Sequence, residues 1–118
     1  MPKAKILIID DDPDIRDVLT ITLVAENYEV IEAADGEEGL MRAQTEHPDL
    51  VIVDYTMPKR NGREVCQQLK KDILLSHIPI IMLTGKGDTA DKVGGINAGA
   101  DDYIVKPFFV RELIARIK

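Results

Sequence analysis

The amino-acid sequence predicts one α/β domain in which parallel strands alternate with helices along the chain. Five short apolar runs rich in β-branched residues recur through the 118 residues. Helical patterns about ten to fifteen residues long separate these runs. Three of the runs are apolar on both faces, as expected for central strands that helices cover on both sides. The length suits one domain, and strand–helix–strand units of this kind connect by right-handed crossovers.

The five apolar runs are the predicted strands. Their richness in Ile, Val and Leu favours buried strands of a parallel sheet. The predicted strands are Lys5–Ile9, Tyr28–Ala33, Leu50–Val53, Ile78–Leu83 and Tyr103–Val105.

The first predicted helix has the clearest start signal. Asp12 can accept hydrogen bonds from the first turn, and Pro13 fits the first helical position, where its missing N–H costs nothing. Apolar and threonine side chains then recur at helical spacing and predict one buried stripe. The stripe comprises Ile15, Val18, Leu19, Thr22 and Leu23.

Four further helices are predicted between and after the remaining strands. The weakest contains Gly94 and Gly95 in its middle, and each interior glycine costs about 0.5–1 kcal/mol relative to alanine. We therefore expect a pliant fourth helix. The predicted ranges are Gly36–Glu46, Gly62–Lys71, Asp88–Ala98 and the segment from Pro107 to Lys118.

The composition restricts the classes of partner. The 21 acidic residues outnumber the 15 basic ones, which gives a formal net charge of −6 and argues against nucleic acid or an anionic membrane as a direct partner. The single cysteine, Cys66, excludes an internal disulfide framework and suits a reducing compartment. The apolar runs are too short for a signal-peptide core or a membrane span, so we expect a cytoplasmic protein.

Polar residues that could bind ions or react with a ligand follow four of the predicted strands. Asp10 and Asp11 follow the first strand, Asp54 the third, Thr84 the fourth and Lys106 the fifth. Ligands of open parallel sheets bind outside the carboxyl ends of the strands. The sequence therefore predicts a site at this edge that contains three carboxylates, one hydroxyl and one ammonium group.

The chemistry of this set favours a divalent cation and a phosphoryl group. Two carboxylates about 4 Å apart repel each other by about 4 kcal/mol at an effective dielectric constant of about 20, so either one carboxylate stays protonated or a cation binds. Oxygen ligands without His or Cys favour Mg²⁺ over zinc. Asp54 stands alone on a central strand and is the best candidate for a nucleophile that forms an acyl phosphate.

Four sequence segments resemble the receiver domain of response regulators in two-component signalling. They are Ile-Leu-Ile-Ile-Asp-Asp-Asp-Pro (6–13), Val-Ile-Val-Asp-Tyr-Thr-Met-Pro (51–58) with Gly62, Ile-Met-Leu-Thr (81–84) and Gly-Ala-Asp-Asp-Tyr-Ile-Val-Lys-Pro-Phe (99–108). The resemblance implies one receiver domain over residues 1–118. It also implies a doubly wound, flavodoxin-like (βα)5 fold with five parallel strands in the order 2-1-3-4-5.

The resemblance assigns the metal ligands residue by residue. Asp54 matches the phosphoacceptor and also a metal ligand, and Asp11 matches the direct Mg²⁺ ligand. Asp10 matches a neighbour that acts mainly through water, and the main-chain carbonyl of Thr56 would complete the protein ligands. The implied cofactor is Mg²⁺, with Mn²⁺ as a possible substitute.

The resemblance also implies a switch that responds to phosphorylation. Thr84 and Lys106 match residues that contact phosphoryl oxygens, and Tyr103 matches the aromatic residue that follows Thr84 when it moves. The family pattern further implies a cis peptide bond between Lys106 and Pro107. The output surface would be formed by the fourth helix, the fifth strand and the fifth helix.

We therefore expect a phosphorylation switch rather than a conventional enzyme. The implied donor is a sensor histidine kinase or a phosphotransfer protein, and the implied receiver of the signal is a target protein or an effector domain. A homodimer that depends on phosphorylation is also possible. No direct nucleic-acid or membrane partner is expected.

Two other readings remain open from the sequence. In a phosphatase of the haloacid dehalogenase type, Asp10 and Asp12 would form the nucleophile pair, although 118 residues is short for that fold and Asp12-Pro13 reads better as a helix start. In a pseudo-receiver, the domain would bind partners without being phosphorylated. The complete acidic set argues against the pseudo-receiver.

Overall fold

The fold is a parallel sheet with helices on both faces. The computed structural model describes residues 3–55, 57, 61–84 and 102–105, together with Ala115 and Ile117; for 102–105 only the backbone is described. The strand order is β2-β1-β3-β4-β5, with every pairing parallel. The predicted fold class and strand order are therefore confirmed. The strands are β1 (Lys5–Ile9), β2 (Glu29–Ala33), β3 (Leu50–Asp54), β4 (Ile80–Thr84) and β5 (Asp102–Val105).

Three helices lie within the described part of the chain; the first begins at the predicted Pro13, and the other two have the predicted bounds. They are α1 (Pro13–Ala25), α2 (Gly36–Glu46) and α3 (Gly62–Lys71). Ala115 and Ile117 are helical, as the predicted fifth helix requires. The predicted fourth helix and the rest of the fifth lie outside the described residues.

Side chains at the start of each described helix accept hydrogen bonds from the first turn. Asp12 accepts from the amide of Asp14 at 2.9 Å, as the sequence indicates. Asn61 and Glu64 form a reciprocal capping box, with bonds of 3.0 and 3.2 Å. These local bonds fix where α1 and α3 begin. Asp10 and Asp11 lie between β1 and α1, and Asp54 ends the strand that precedes α3.

Four strands differ from their predicted bounds by one or two residues. β2 begins at Glu29 instead of Tyr28, and β5 begins at Asp102 instead of Tyr103. β4 begins at Ile80 instead of Ile78, because the amide of Ile78 donates to Leu75 in the preceding turn and Pro79 has no amide hydrogen to give to a neighbouring strand. β3 and β4 each extend one residue further than predicted, to Asp54 and Thr84. These two polar residues are therefore the last residues of strands and are positioned by the sheet itself.

The core consists of two apolar layers, one on each face of the sheet. On β1, Ile6 and Ile8 belong to the layer that contains Leu19 and Leu23 of α1. Alternate residues of the same strand belong to the layer covered by α2 and α3. That second layer includes Leu7, Ile9, Ala43, Val65, Cys66 and Leu69. This two-sided burial explains why the central strands are apolar throughout.

The predicted buried stripe of α1 is too wide. Leu19 and Leu23 are fully buried, but 53% of Val18 is exposed. Two turns of α1 therefore press one i, i+4 pair into the core, while Val18, one residue before Leu19, lies outside it. The spacing of apolar residues shows which face of a helix points inward. It does not show how wide a strip of that face the sheet covers.

Candidate metal centre

The sheet brings the acidic residues of β1 and β3 together. These strands are neighbours, and Ile9 pairs with Val53, so Asp10 and Asp54 follow directly paired residues. One carboxylate oxygen from each of Asp10, Asp11 and Asp54 lies within 4.8 Å of the other two. The sequence-based prediction that separate strands deliver three carboxylates to one place therefore agrees with the geometry.

The three carboxylates differ in burial. Asp10 is fully buried, Asp54 is 6% exposed, and Asp11 is exposed. The cluster is therefore open to solvent on the side of Asp11, while Asp10 and Asp54 form its buried floor. Because like charges at this separation repel, the cluster favours the binding of a cation.

The main chain and the side chain of Asp10 are both held in place. Its amide donates to the carbonyl of Ala33 on β2 at 3.1 Å. Its carboxylate accepts from the amide of Asp12 at 3.0 Å. Its carbonyl accepts from Nη1 of Arg16 at 2.6 Å. The sequence analysis did not single out Arg16; an arginine beside the apolar stripe at the start of α1 is the only signal the sequence offers.

Asp54 is fixed by the backbone on either side of it. It pairs in register with Leu83, and the next amide, that of Tyr55, donates to the carbonyl of Leu83 at 2.8 Å. The carbonyl of Tyr55 accepts from the amide of Gly62, the first residue of α3, also at 2.8 Å. The start of α3 is thereby joined to the end of the strand that carries Asp54.

Gly62 packs directly against the backbone of Asp54. A Cβ atom at this position would lie 2.6 Å from the carbonyl oxygen of Asp54 and 2.9 Å from Cα of Tyr55. Only glycine allows this approach without a backbone shift. The sequence indicated Gly62 as part of a motif, but the close contact follows only from the folded arrangement.

The described residues fit a hard divalent cation such as Mg²⁺ or Mn²⁺. Within residues 3–55, 57 and 61–84, this cluster is the one group of at least three His, Cys, Asp or Glu ligands, and all its donor atoms are carboxylate oxygens. Carboxylates with further positions open to water and phosphate suit Mg²⁺, whereas zinc sites use His or Cys.

Thr84 lies at the same edge of the sheet and is 5% exposed. It follows Leu83, the residue paired with Asp54, and pairs with Val105 on β5. Tyr103 pairs through its backbone with Met82. Thr56, Lys106 and Pro107 lie outside the described residues, and so do the predicted cis bond and the fourth-helix part of the predicted output surface.

The sequence matches the family of response regulator receiver domains over residues 6–118. This chain belongs to that family. A probable transcriptional regulator of Cyanophora paradoxa is 54% identical over 98% of this chain and 47% of its own length. The DNA-binding dual master transcriptional regulator RpaA of Synechocystis is 46% identical over 97% of this chain and 47% of its own length. The crystal structure of the chemotaxis protein CheY4 of Vibrio cholerae superposes with a TM-score of 0.91 at 35% identity, over 98% of this chain and 97% of that one.

The chain spans about half the length of these curated relatives, whose names describe regulators of transcription, and that of RpaA states DNA binding. These names contradict the prediction that nucleic acid is excluded as a direct partner. The net charge of −6 belongs to 118 residues. The charge balance of this segment carries no information about what the remaining half of those relatives binds. Within the described residues, no helix is long and apolar enough to cross a membrane.

Proposed function

We propose that this receiver domain is the phosphoacceptor of a two-component phosphorelay and that Asp54 carries the phosphoryl group. The observation that supports the proposal best is the grouping of Asp10, Asp11 and Asp54 within 4.8 Å at the carboxyl edge of the sheet. Asp54 ends a central strand and is only 6% exposed, so its carboxylate has a fixed position, and the exposed Asp11 beside it leaves the cluster open to solvent.

The proposed reaction is transfer from a phosphohistidine of a sensor histidine kinase or phosphotransfer protein. A carboxylate oxygen of Asp54 forms a bond to phosphorus as the phosphorus–nitrogen bond breaks. The electron pair of that bond returns to the imidazole of the donor, which takes a proton from solvent. The domain contributes positioning and charge, so a small acyl phosphate can replace the protein donor.

The acidic residues have distinct proposed roles in this step. Asp11 and Asp54 would hold Mg²⁺ directly, together with the carbonyl of Thr56, and Asp10 would contribute mainly through water. When bound, the cation offsets the negative charge of the phosphoryl oxygens. Lys106 would pair with a phosphoryl oxygen from the end of β5. Asp54 is modified once per cycle, so the domain assists its own phosphorylation rather than acting as a conventional enzyme.

The proposed switch links the phosphoryl group to the surface formed by the fourth helix, β5 and the fifth helix. The hydroxyl of Thr84 would bond to the phosphoryl group, and Tyr103 would change position with it. The register supports this link, because β5 pairs with β4 along its whole length. Phosphorylation would thereby shift the population between two states of this surface.

The proposed output is control of transcription in the cytoplasm. Relatives named as transcriptional regulators match 97–98% of this chain. The altered surface would contact a target protein, an effector domain or a second copy of this domain. Gel filtration before and after phosphorylation tests the second-copy case, for which we expect a shift to the mass of a dimer.

Intact-mass spectrometry after incubation with acetyl phosphate and MgCl₂ tests the phosphoacceptor assignment. We expect the mass to rise by one phosphoryl group, and the adduct to disappear on treatment with hydroxylamine. Asp54→Asn should abolish the adduct, whereas the control Asp49→Asn, at the opposite edge of the sheet, should retain it. An adduct that persists in Asp54→Asn would contradict the assignment.

The wild-type protein and its Asp10→Asn and Asp54→Asn variants also distinguish a phosphoacceptor from a phosphatase. If Asp10 were the nucleophile of a phosphatase, phosphoester substrates would be hydrolysed over many turnovers, and Asp10→Asn would remove this activity while Asp54→Asn would not. We expect no such multiple turnover from the wild-type domain.

A further inference from the structure

Arg16 connects the metal centre to β2. Its Nη1 donates to the main-chain carbonyl of Asp10 at 2.6 Å, and its Nε lies 3.3 Å from Oε1 of Glu32. The Arg16 side chain is 19% exposed and that of Glu32 38% exposed. One guanidinium group, shielded from much of the solvent, therefore bridges the end of β1 and a carboxylate on the neighbouring strand.

The contact with Asp10 lies beyond the regular ladder of the sheet. The pairing of β1 with β3 ends at Ile9 and Val53, so the carbonyl of Asp10 follows the last paired residue. Arg16 donates to this carbonyl, and a charged donor makes a stronger bond than a neutral amide. The carbonyl is thereby held at a point where the sheet pattern has ended.

Holding this carbonyl also orients Asp11. The peptide group is planar, so the direction of the Asp10 carbonyl fixes the plane that contains the amide nitrogen and Cα of Asp11. The amide of Asp10 is fixed by Ala33, and its carboxylate by the amide of Asp12. Asp11 itself is exposed. Its direction therefore depends on the peptide that Arg16 holds.

Arginine suits this task better than lysine. The guanidinium group is planar and carries donors at fixed angles, so Nη1 and Nε can bond two different acceptors at once. An ammonium group on a flexible stem lacks this rigid fork. Glu32 fixes the rotation of the guanidinium group and offsets its charge.

We propose that Arg16, held by Glu32, is a positioning residue for the divalent-ion site, and that it turns the Asp10–Asp11 peptide so that the carboxylate of Asp11 faces Asp54. This proposal rests on the proposed function, because it assumes that the acidic cluster binds Mg²⁺. Partners that orient metal ligands typically account for about 10- to 100-fold in metal affinity. We expect Arg16→Lys to raise the dissociation constant for Mg²⁺ about tenfold, at the lower end of that range.

Titration of the whole 15N-labelled chain with MgCl₂, followed by amide NMR, measures this constant without any turnover. Glu32→Gln should raise it by less than Arg16→Lys, because Gln keeps a polar side chain of the same length beside Nε and removes only the charge. The double variant should match Arg16→Lys, since Glu32 acts only through Arg16. The control Lys5→Met removes a comparable ion pair at the opposite edge, where Nζ of Lys5 lies 3.4 Å from Glu46, and should leave Mg²⁺ binding unchanged.

A second readout separates positioning from a general structural role. With acetyl phosphate as donor, the phosphorylation rate of Arg16→Lys should reach the wild-type value at saturating MgCl₂, because only the affinity is altered. A folded Arg16→Lys protein with the wild-type dissociation constant would overturn the proposal. If Arg16→Lys does not fold, Glu32→Gln provides the test. A dissociation constant for Mg²⁺ in Glu32→Gln that equals the wild-type value would also overturn the proposal. Failure of the wild-type chain to bind Mg²⁺ would instead overturn the proposed function.

Discussion

Acidic residues have different neighbours at the two edges of the sheet. At the amino edge, Nζ of Lys5 lies 3.4 Å from Glu46 and 3.9 Å from Glu29, and the amide of Lys5 donates to Asp49 at 2.7 Å. At the carboxyl edge, Asp10, Asp11 and Asp54 place like charges within 4.8 Å of one another.

This difference separates charges that support the fold from charges that bind a ligand. Carboxylates that face an ammonium or amide group stabilise the fold modestly and need no further partner. Carboxylates that lie close together repel each other, and a bound cation would offset that repulsion. Variants at the two edges should therefore respond to Mg²⁺ in different ways.

The largest expected effect is the response of stability to Mg²⁺. A ligand at about 100 times its dissociation constant stabilises the folded state by about 2.7 kcal/mol. We expect urea unfolding of the wild-type domain to show an increase of this size when MgCl₂ replaces EDTA. Asp11→Asn should lose most of the increase, and Asp49→Asn should keep it. An equal response in both variants would remove the distinction between the edges.

Gly62→Ala should disturb the carboxyl edge through the backbone. The added Cβ would lie 2.6 Å from the carbonyl oxygen of Asp54. Because that oxygen belongs to the backbone, the clash can be relieved only if α3 or β3 shifts. Such overpacking costs about 1–3 kcal/mol, and we expect about 2 kcal/mol in urea unfolding.

Gly39→Ala is the matched control for Gly62→Ala. A Cβ at Gly39 would meet the side chain of Ile9, which is fully buried, instead of the backbone of a site residue. Both variants should lose stability, but only Gly62→Ala should slow phosphorylation by acetyl phosphate when both proteins are fully folded. Equal slowing would show that the contact with Asp54 has no special role.

Neutralising one carboxylate of the cluster should stabilise the domain when no cation is present. Asp54→Asn removes a like charge from beside Asp10 and Asp11 and keeps an oxygen acceptor. Because Asp11 is exposed and solvent screens it, we expect a gain of about 1 kcal/mol in EDTA by urea unfolding. A loss of similar size would mean that the three carboxylates do not repel each other in the folded state.

The smallest expected effect belongs to the amino edge. Lys5→Met removes the pairs with Glu46 and Glu29, whose side chains are 37% and 54% exposed. Partly exposed pairs of this kind contribute about 0.2–1 kcal/mol, so we expect a loss of about 0.5 kcal/mol by urea unfolding. The phosphorylation rate should stay at the wild-type value, and a marked change would link the two edges.

The sequence predicts the elements of this fold well because its signals are local. The cap at Asp12 defines the start of α1, and the apolar runs define strands that are buried on both faces. The acidic site was also predictable, since polar residues at the ends of parallel strands meet at one edge. The order of the strands came from the resemblance to receiver domains.

The features that the sequence did not predict are tertiary contacts. The contact of Arg16 with Asp10 and Glu32 depends on how α1 lies over β1 and β2, which no local pattern encodes. The need for glycine at position 62 depends on how closely α3 approaches β3. The exposure of Val18 depends on the width of the surface beneath α1. Each of these requires two elements to be placed relative to each other.

A crystal structure of the domain with MgCl₂ and beryllofluoride, which mimics a phosphoryl group, tests the central claim most directly. We expect beryllium bonded to a carboxylate oxygen of Asp54, and Mg²⁺ about 2.1 Å from oxygens of Asp11 and Asp54. Beryllofluoride bonded to Asp10, or a cation bound away from this acidic cluster, would contradict the account.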